Sequence, residues 1–523
     1  MHRQLIRHFF GRFFDTESLS PQGDPQAGVI QTLGILAVPS AFFVLLFRPL
    51  TLWSWSLVSV RYMFVLYSMI VMGFVMVLEW DALFLDARDY QILTPIPIRR
   101  PTLLSAKAVA LAIFLSMFLF DINFFGVLFW PGVDGGRNTF AILTAHMAAV
   151  LAGGLFSALV IAAIHGVIAT VFRGAWYQRI SVGVQTLLMF SLVMLLFLTP
   201  MLAFSTERLV HVKSPFLYWF PGSWFIGFYE QLRPATGEAL LQRVGSRAIP
   251  AILISAAVFV ITFLGVRTPN APATARERRR YITLRHPVQN AIFHFISQSI
   301  TRSVKHRLFL ATYGGFGAAV AVMSTMSGSE GLLRLPLTLS FVLVSGLRAA
   351  FNFPSELRAN WAFQLGEIHS VGTYLTATRK WIACCGIVPL FVLLAPMEFL
   401  CFSRGAAVFH LAYGLTLSLV LMELMFLGFR KIPFTCAHFP GKVNLSFLAV
   451  MYVFGFTTYS RTMAVAEQMI LSAPWRIPMF FASGFAVLAL LAHFRDRQIA
   501  AAAALDYEDA GDPVVRTLGL SPE

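Results

Sequence analysis

Residues 268–281 read TPNAPATARERRRY, and whether they form one more loop or the seam between two copies of a unit decides how the chain is built. Pro, Ala and Arg dominate the stretch, which has no apolar face to bury and is expected to be a solvated linker. The sequence on both sides is very different. Of 523 residues, 57% are hydrophobic and only 12% charged, and the mean hydropathy is +0.72, whereas soluble domains carry about 25% charged residues. An integral membrane protein is implied. Runs of about 20 apolar residues, the length that crosses roughly 30 Å of hydrocarbon as a helix, recur from end to end. They predict crossings at 28–47, 57–78, 106–130, 140–171, 180–204 and 247–266 before the linker. After it come 307–326, 333–353, 381–402, 406–428, 444–462 and 474–494. The runs 106–130 and 140–171 exceed a bilayer and are expected to tilt, kink or protrude.

The expected fold is all-α: a polytopic membrane protein of about twelve transmembrane helices arranged as two direct six-helix repeats. Residues 1–266 form the first half, 267–289 a cytoplasmic linker, 290–496 the second half and 497–523 a cytoplasmic tail. Because six is even, both halves have the same orientation. Each half opens on a surface-helix pattern, residues 2–14 in the first and NAIFHFISQSITRSVKHRLF, 290–309, in the second. With the N-terminus inside, about 28 of the 40 Lys and Arg fall on the cytoplasmic face or its border. Both termini are then cytoplasmic, and no cleaved signal peptide is expected, because a Ser/Pro/Gly/Asp stretch follows the basic start. The net charge of +15 is accounted for by a face beside anionic lipid headgroups and calls for no nucleic acid.

The second long polar passage is DARDYQILTPIPIRRPTLLSAK, residues 86–107, between the second and third crossings. Asp86 and Asp89 favour the start of a short helix, Pro95 and Pro97 stop it, and a new helix begins near Thr102. Tyr90, Leu93 and Ile96 are apolar or aromatic groups on a protrusion, as on a knob made for a socket; a surface helix laid on the bilayer is the plainer alternative. In the second half SELRANWAFQLGEIHSVGTYLTATRKWIA, 355–383, can be laid against it, with Trp361 on Tyr90 and Gln364 near Leu93.

This passage resembles the membrane subunits of ABC exporters, in which an acidic helix followed by a proline-bent, doubly basic run stands at the same place; Ile96-Pro97-Ile98-Arg99-Arg100 matches most closely. The resemblance implies a coupling helix that docks in a groove of a separate ATP-hydrolysing subunit. It assigns partner contact to Asp89, Tyr90, Leu93, Pro95, Ile96, Arg99 and Arg100, and more weakly to Arg358, Trp361, Phe363, Gln364 and Glu367, where the proline pair and double arginine are missing. It also implies extracellular re-entrant helices in KSPFLYWFPGSWFIGFYEQL, 213–232, and a bacterial inner (plasma) membrane location. The chain has no GxxxxGK[ST] to wrap a nucleotide's phosphates. ATP and Mg would therefore be bound by the partner, leaving this chain a transport subunit with no cofactor of its own.

Charges within apolar runs are costly and point to function. Asp121, Asn123 and Glu398 are transport-path candidates, with Asp121 the one expected to face water. Glu423 and His165 are expected to pair between helices, and Gly153-Gly154 to allow close helix contact. Trp53, Trp55, Trp130, Trp219 and Trp224 fall where an outer aromatic belt is expected, and the histidines at 286, 294, 306 and 369 are read as surface groups. The four cysteines have no zinc or disulfide spacing, and no catalytic motif occurs. Two other functions fit the architecture: a proton-coupled 6+6 secondary transporter, although the GxxxDRxGRR-like signature is absent, and a membrane-embedded enzyme on lipid-linked substrates. The identity of the cargo is not encoded in any motif.

Overall fold

The computed structural model describes residues 2–13, 56–85, 89, 93, 95–134, 138–233, 239–265, 284–355, 357, 360–365, 371–436, 445–500, 505 and 507. Among them all regular structure is helical. Ten helical stretches are long and apolar enough to cross a membrane, which makes the chain a multi-pass membrane protein by length and composition. It divides into two compact units, Met1–Arg276 and Glu277–Glu523, and the boundary falls inside TPNAPATARERRRY. The expected crossing at 28–47 lies outside the described residues.

In the first unit α1 (His2–Arg12) is followed by α2 (Leu57–Leu78), α3 (Arg100–Asp134), α4 (Thr139–Val171), α5 (Gly174–His211), α6 (Pro221–Leu232), α7 (Ala239–Gly245) and α8 (Ala248–Gly265). The central helix is α2, packed against α3, α4, α5 and α6. Ser56 caps its start by accepting from Ser59 N. Hydropathy underestimates α5, expected at 180–204: it runs 38 residues, about 57 Å at 1.5 Å per residue. Its polar ends continue the helix because nothing before His211 breaks it except Pro200, and a single proline is tolerated within a packed bundle. Pro131 is accommodated in α3 in the same way.

In the second unit α9 (Pro287–Arg302) precedes α10 (Val304–Met326) and α11 (Ser329–Ala350). The short α12 (Trp361–Leu365) then leads to α13 (Val371–Cys401), α14 (Arg404–Met425), α15 (Leu445–Leu471) and α16 (Arg476–Ala500). Residues Ile382–Ile387 of α13 take a π-helical turn. Here α11 is the central helix, packed against α10, α13, α14 and α15. The expected crossing at 444–462 falls on α15, which is not one of the ten.

Candidate functional site

The first polar passage is held from within. Asp89 and Leu93 are helical and buried, and Asp89 is ion-paired with Arg12 at the end of α1. The amphipathic pattern of α1 explains why that arginine is available: Leu5, Phe9 and Phe13 face inward onto α3. There Phe13 stacks on Phe114 at 4.4 Å. The ammonium of Lys107 lies 4.9 Å from the Phe9 ring centroid and 5.2 Å from that of Phe13, where cation–π attraction offsets part of its desolvation. His2 Nε2 lies 3.1 Å from Ser105 Oγ, adding a polar tie along the same helix pair.

With Asp89 and Leu93 taken inward, the exposed part of the passage is the proline turn. Ile96 N donates to Leu93 O at 3.3 Å. Pro95, Pro97, Arg99 and Arg100 are exposed and Ile96 is 44% exposed, while the next helix starts at Arg100 rather than at Thr102. Tyr90 lies outside the described residues.

In the second unit α12 presents Trp361 at 62% and Leu365 at 75% exposure, with Gln364 also exposed. Phe363 turns inward, edge-on to Phe295 of α9 at 4.9 Å. Beneath it Asn360 Nδ2 donates to Thr435 O at 2.6 Å and Ser355 N to Phe434 O at 2.9 Å. The neighbouring start of α13 is fixed to α9 by Trp381 Nε1 donating to Ser297 Oγ at 2.7 Å and Lys380 Nζ donating to Gln289 Oε1 at 2.8 Å. Arg358 and Glu367 lie outside the described residues. In each unit, then, side chains of the amphipathic helix hold the polar passage, and apolar side chains of the passage stay uncovered: Ile96 in the first, Trp361 and Leu365 in the second.

At the base of α2, Glu79 is buried, and its carboxyl is pushed up to about 7, first by that burial, with Asp81 adding to the rise and Lys107 opposing it. Folded Glu79 thus keeps its proton to a higher pH than it would in the unfolded chain. The stability it contributes is complete below the ordinary carboxylate range and lost as pH rises to about 7. Glu79→Gln is expected to flatten that part of the melting temperature profile in detergent, and an unchanged profile would assign the titration to another group.

The intramembrane candidates divide. Asn123 donates to Ser68 Oγ at 3.0 Å and to Leu119 O at 2.8 Å, a packing role between α3 and α2. Asp121 is half-buried, with Oδ2 unpartnered among the described residues. His165 meets Tyr177 at 3.0 Å and stacks on Trp80 at 4.3 Å. Glu423 pairs with Arg379 at 3.2 Å and Arg495 at 3.1 Å, so its partners are guanidinium groups rather than an amide or imidazole. Glu398 is wholly buried beside His410, whose Nε2 lies 3.6 Å from Glu398 Oε1 and whose Nδ1 lies 2.6 Å from Glu467 Oε1.

Sequence reasoning missed the largest buried cluster. Arg61, near the start of α2, reaches Asp134 Oδ2 at 2.7 Å and Glu230 Oε1 at 2.5 Å. Arg233 meets Asp134 Oδ1 at 2.9 Å, and Tyr229 Oη donates to Asp134 Oδ2 at 3.2 Å. The Arg61 guanidinium lies 4.5 Å from the Tyr229 ring centroid. Beside it Trp130 stacks on His146 at 4.6 Å. Trp130 is 0% exposed, which corrects its place in an aromatic belt: Arg61 and His146 offer its ring better contacts than lipid headgroups do. His306 is likewise buried, bonded to Ser303 and Phe353 O, and not a surface group. The signal in the sequence is Arg61 inside the apolar run 57–78, where a charge is costly without a partner.

No protein-family model, curated protein or solved structure matches the chain.

Proposed function

We propose that the chain is the membrane-spanning permease of an ATP-driven exporter, working with soluble ATP-binding subunits that dock at Ile96 and at Trp361 and Leu365. The observation that carries this reading is the double arrangement of exposed apolar side chains on a passage bonded to an amphipathic helix. Exposed Ile96 on a proline turn and exposed Trp361 and Leu365 on α12 gain nothing from water, and a rigid knob loses little entropy when it enters a socket. On this reading the chain carries twelve crossings as two direct repeats, with the tips in the cytoplasm and the membrane that of a bacterial cell. Docking contacts then centre on Pro95, Ile96, Arg99 and Arg100, while Asp89 and Leu93 position the turn from inside. ATP and Mg belong to the partner, and the chain itself is not an enzyme.

The test is to find an ATP-binding subunit among the neighbouring reading frames, co-purify it with this chain, and measure its ATPase rate in lipid nanodiscs. Ile96→Asp combined with Trp361→Asp is expected to weaken retention of that subunit by about tenfold or more, the effect of removing central interface anchors, while the chain still purifies as a folded membrane protein. Full retention and a normal ATPase rate in the double variant would overturn the docking assignment.

A further inference from the structure

The two units each bury a pair of carboxylates near the start of a long helix that carries a histidine, but they neutralise the pair differently. In the first unit Asp134 and Glu230 face Arg61 and Arg233, cations at any pH a cell meets. His146, seven residues after the start of α4, is a bystander stacked on Trp130. In the second unit His410 stands six residues after the start of α14, and among the described residues it is itself the only basic group paired with Glu398 and Glu467. The charge of an imidazole depends on a proton.

Glu398 and Glu467 are both 0% exposed, and His410 is 2% exposed. Glu467 Oε1 has the short contact to His410 Nδ1, the geometry of a charge-assisted hydrogen bond. Among the described residues neither oxygen of Glu398 has a hydrogen-bond partner, nor does Glu467 Oε2 or His410 Nε2. Phe402 lies against the His410 ring, with centroids 5.6 Å apart. α14 itself adds Tyr413, whose hydroxyl donates to Met463 O at 2.7 Å. The Tyr413 ring belongs to one apolar cluster with Leu337 of α11, Tyr459 and Met463 of α15, and Ile477, Phe480 and Phe481 of α16. The titratable groups facing His410 are therefore Glu398 from α13 and Glu467 from α15, with the phenols of Tyr413 and Tyr459 nearby.

With a neutral imidazole and two ionised carboxylates the cluster would hold two negative charges out of water, and each uncompensated buried charge costs several kcal/mol. One proton makes His410 an imidazolium paired with Glu467. A second is needed for neutrality, and the only carboxylate without a hydrogen bond to stabilise its ionised form is Glu398. We propose that Glu398, His410 and Glu467 form a proton-binding site in which an imidazolium–carboxylate pair, His410 and Glu467, sits beside a neutral Glu398 carboxylic acid. Both protons are taken from the aqueous phase. The exchangeable one is on Glu398, and its departure leaves a second negative charge that water must reach, loosening α13 from α14 and α15. The site does not depend on the exporter reading, since a permease, a carrier or an enzyme could each carry it.

The intact chain in detergent or nanodiscs supplies the test. A neutral Glu398 has Gln as its isostere, so Glu398→Gln is expected to change the melting temperature by about 2 °C or less. Glu467→Gln breaks the imidazolium pair and is expected to lower it by about 10 °C. Infrared spectra at neutral pH are expected to show a protonated-carboxyl C=O band that Glu398→Gln removes, a measurement that remains decisive if Glu467→Gln fails to fold. Equal losses from the two variants, the reverse order, or a carboxyl band unchanged in Glu398→Gln would overturn the proposal. So would stability that follows sodium concentration and not pH, which would assign the site to a metal cation.

Discussion

Arg61→Ala is expected to destabilise the protein by about 3–5 kcal/mol, the cost of leaving buried carboxylates without their cation. Arg61 is 5% exposed and is, among the described residues, the only cation on Glu230, with contacts at 2.5 Å to Glu230 and 2.7 Å to Asp134. Asp134 would keep Arg233 at 2.9 Å, so the loss centres on Glu230, itself 3% exposed. Thermal denaturation in detergent would read the effect. The mechanism also predicts a rescue: Arg61→Met with Glu230→Gln removes the orphaned charge and is expected to recover about half of the loss. A single variant within about 1 kcal/mol of wild type would mean that water already reaches the cluster.

The class of fold was legible because it depends on sums over long windows. Twenty-residue apolar runs survive local errors, and the seam at TPNAPATARERRRY was visible because Pro and Arg together cannot enter a bundle. The first turn was legible for a similar reason, since Pro95 and Pro97 fix a turn whatever surrounds them; Leu93, expected on the same knob, is buried, and Leu365 on α12 carries no local mark of its exposure. Side-chain partners were not. Arg61, Asp134 and Glu230 are separated by 73 and 169 residues from Arg61, and nothing local marks a carboxylate as belonging to a distant guanidinium. Asp89 shows the same limit. Its place at the start of a short helix was readable, but its burial depends on Arg12, which α1 brings to it only after Leu5, Phe9 and Phe13 have docked on α3. His410 and Glu467 went unremarked because a single His or Glu near a helix end is ordinary until a second carboxylate is found against it. Glu398, by contrast, stood out in LLAPMEFL as a charge with no polar neighbours in sequence, and among the described residues its ion-pair partner in space is His410.

Gly227→Ala is the second change expected to have a large effect, and the reason is backbone contact. A Cβ on Gly227 would lie 2.2 Å from Leu241 O and 2.4 Å from Gly245 N; one on Gly245 would lie 2.2 Å from the carbonyl carbon of Gly227. Both neighbours are main chain, so no rotamer change can relieve the overlap, and α6 and α7 must separate. A loss of about 3 kcal/mol, the upper part of the usual overpacking range, is expected. Gly183→Ala on α5, where a Cβ would meet nothing within 4 Å, serves as the control and is expected to be neutral or slightly stabilising. The two large effects are also coupled. α6 carries Tyr229 and Glu230 only two and three residues beyond Gly227, so pushing it off α7 moves the carboxylate away from Arg61. Once that ion pair is disturbed, removing Arg61 costs less. Arg61→Ala and Gly227→Ala together are therefore expected to fall short of the sum of their separate losses by about 1 kcal/mol or more in a double-mutant cycle. Strict additivity would mean that α6 yields at the end away from Glu230, leaving the buried cluster independent of the glycine crossing.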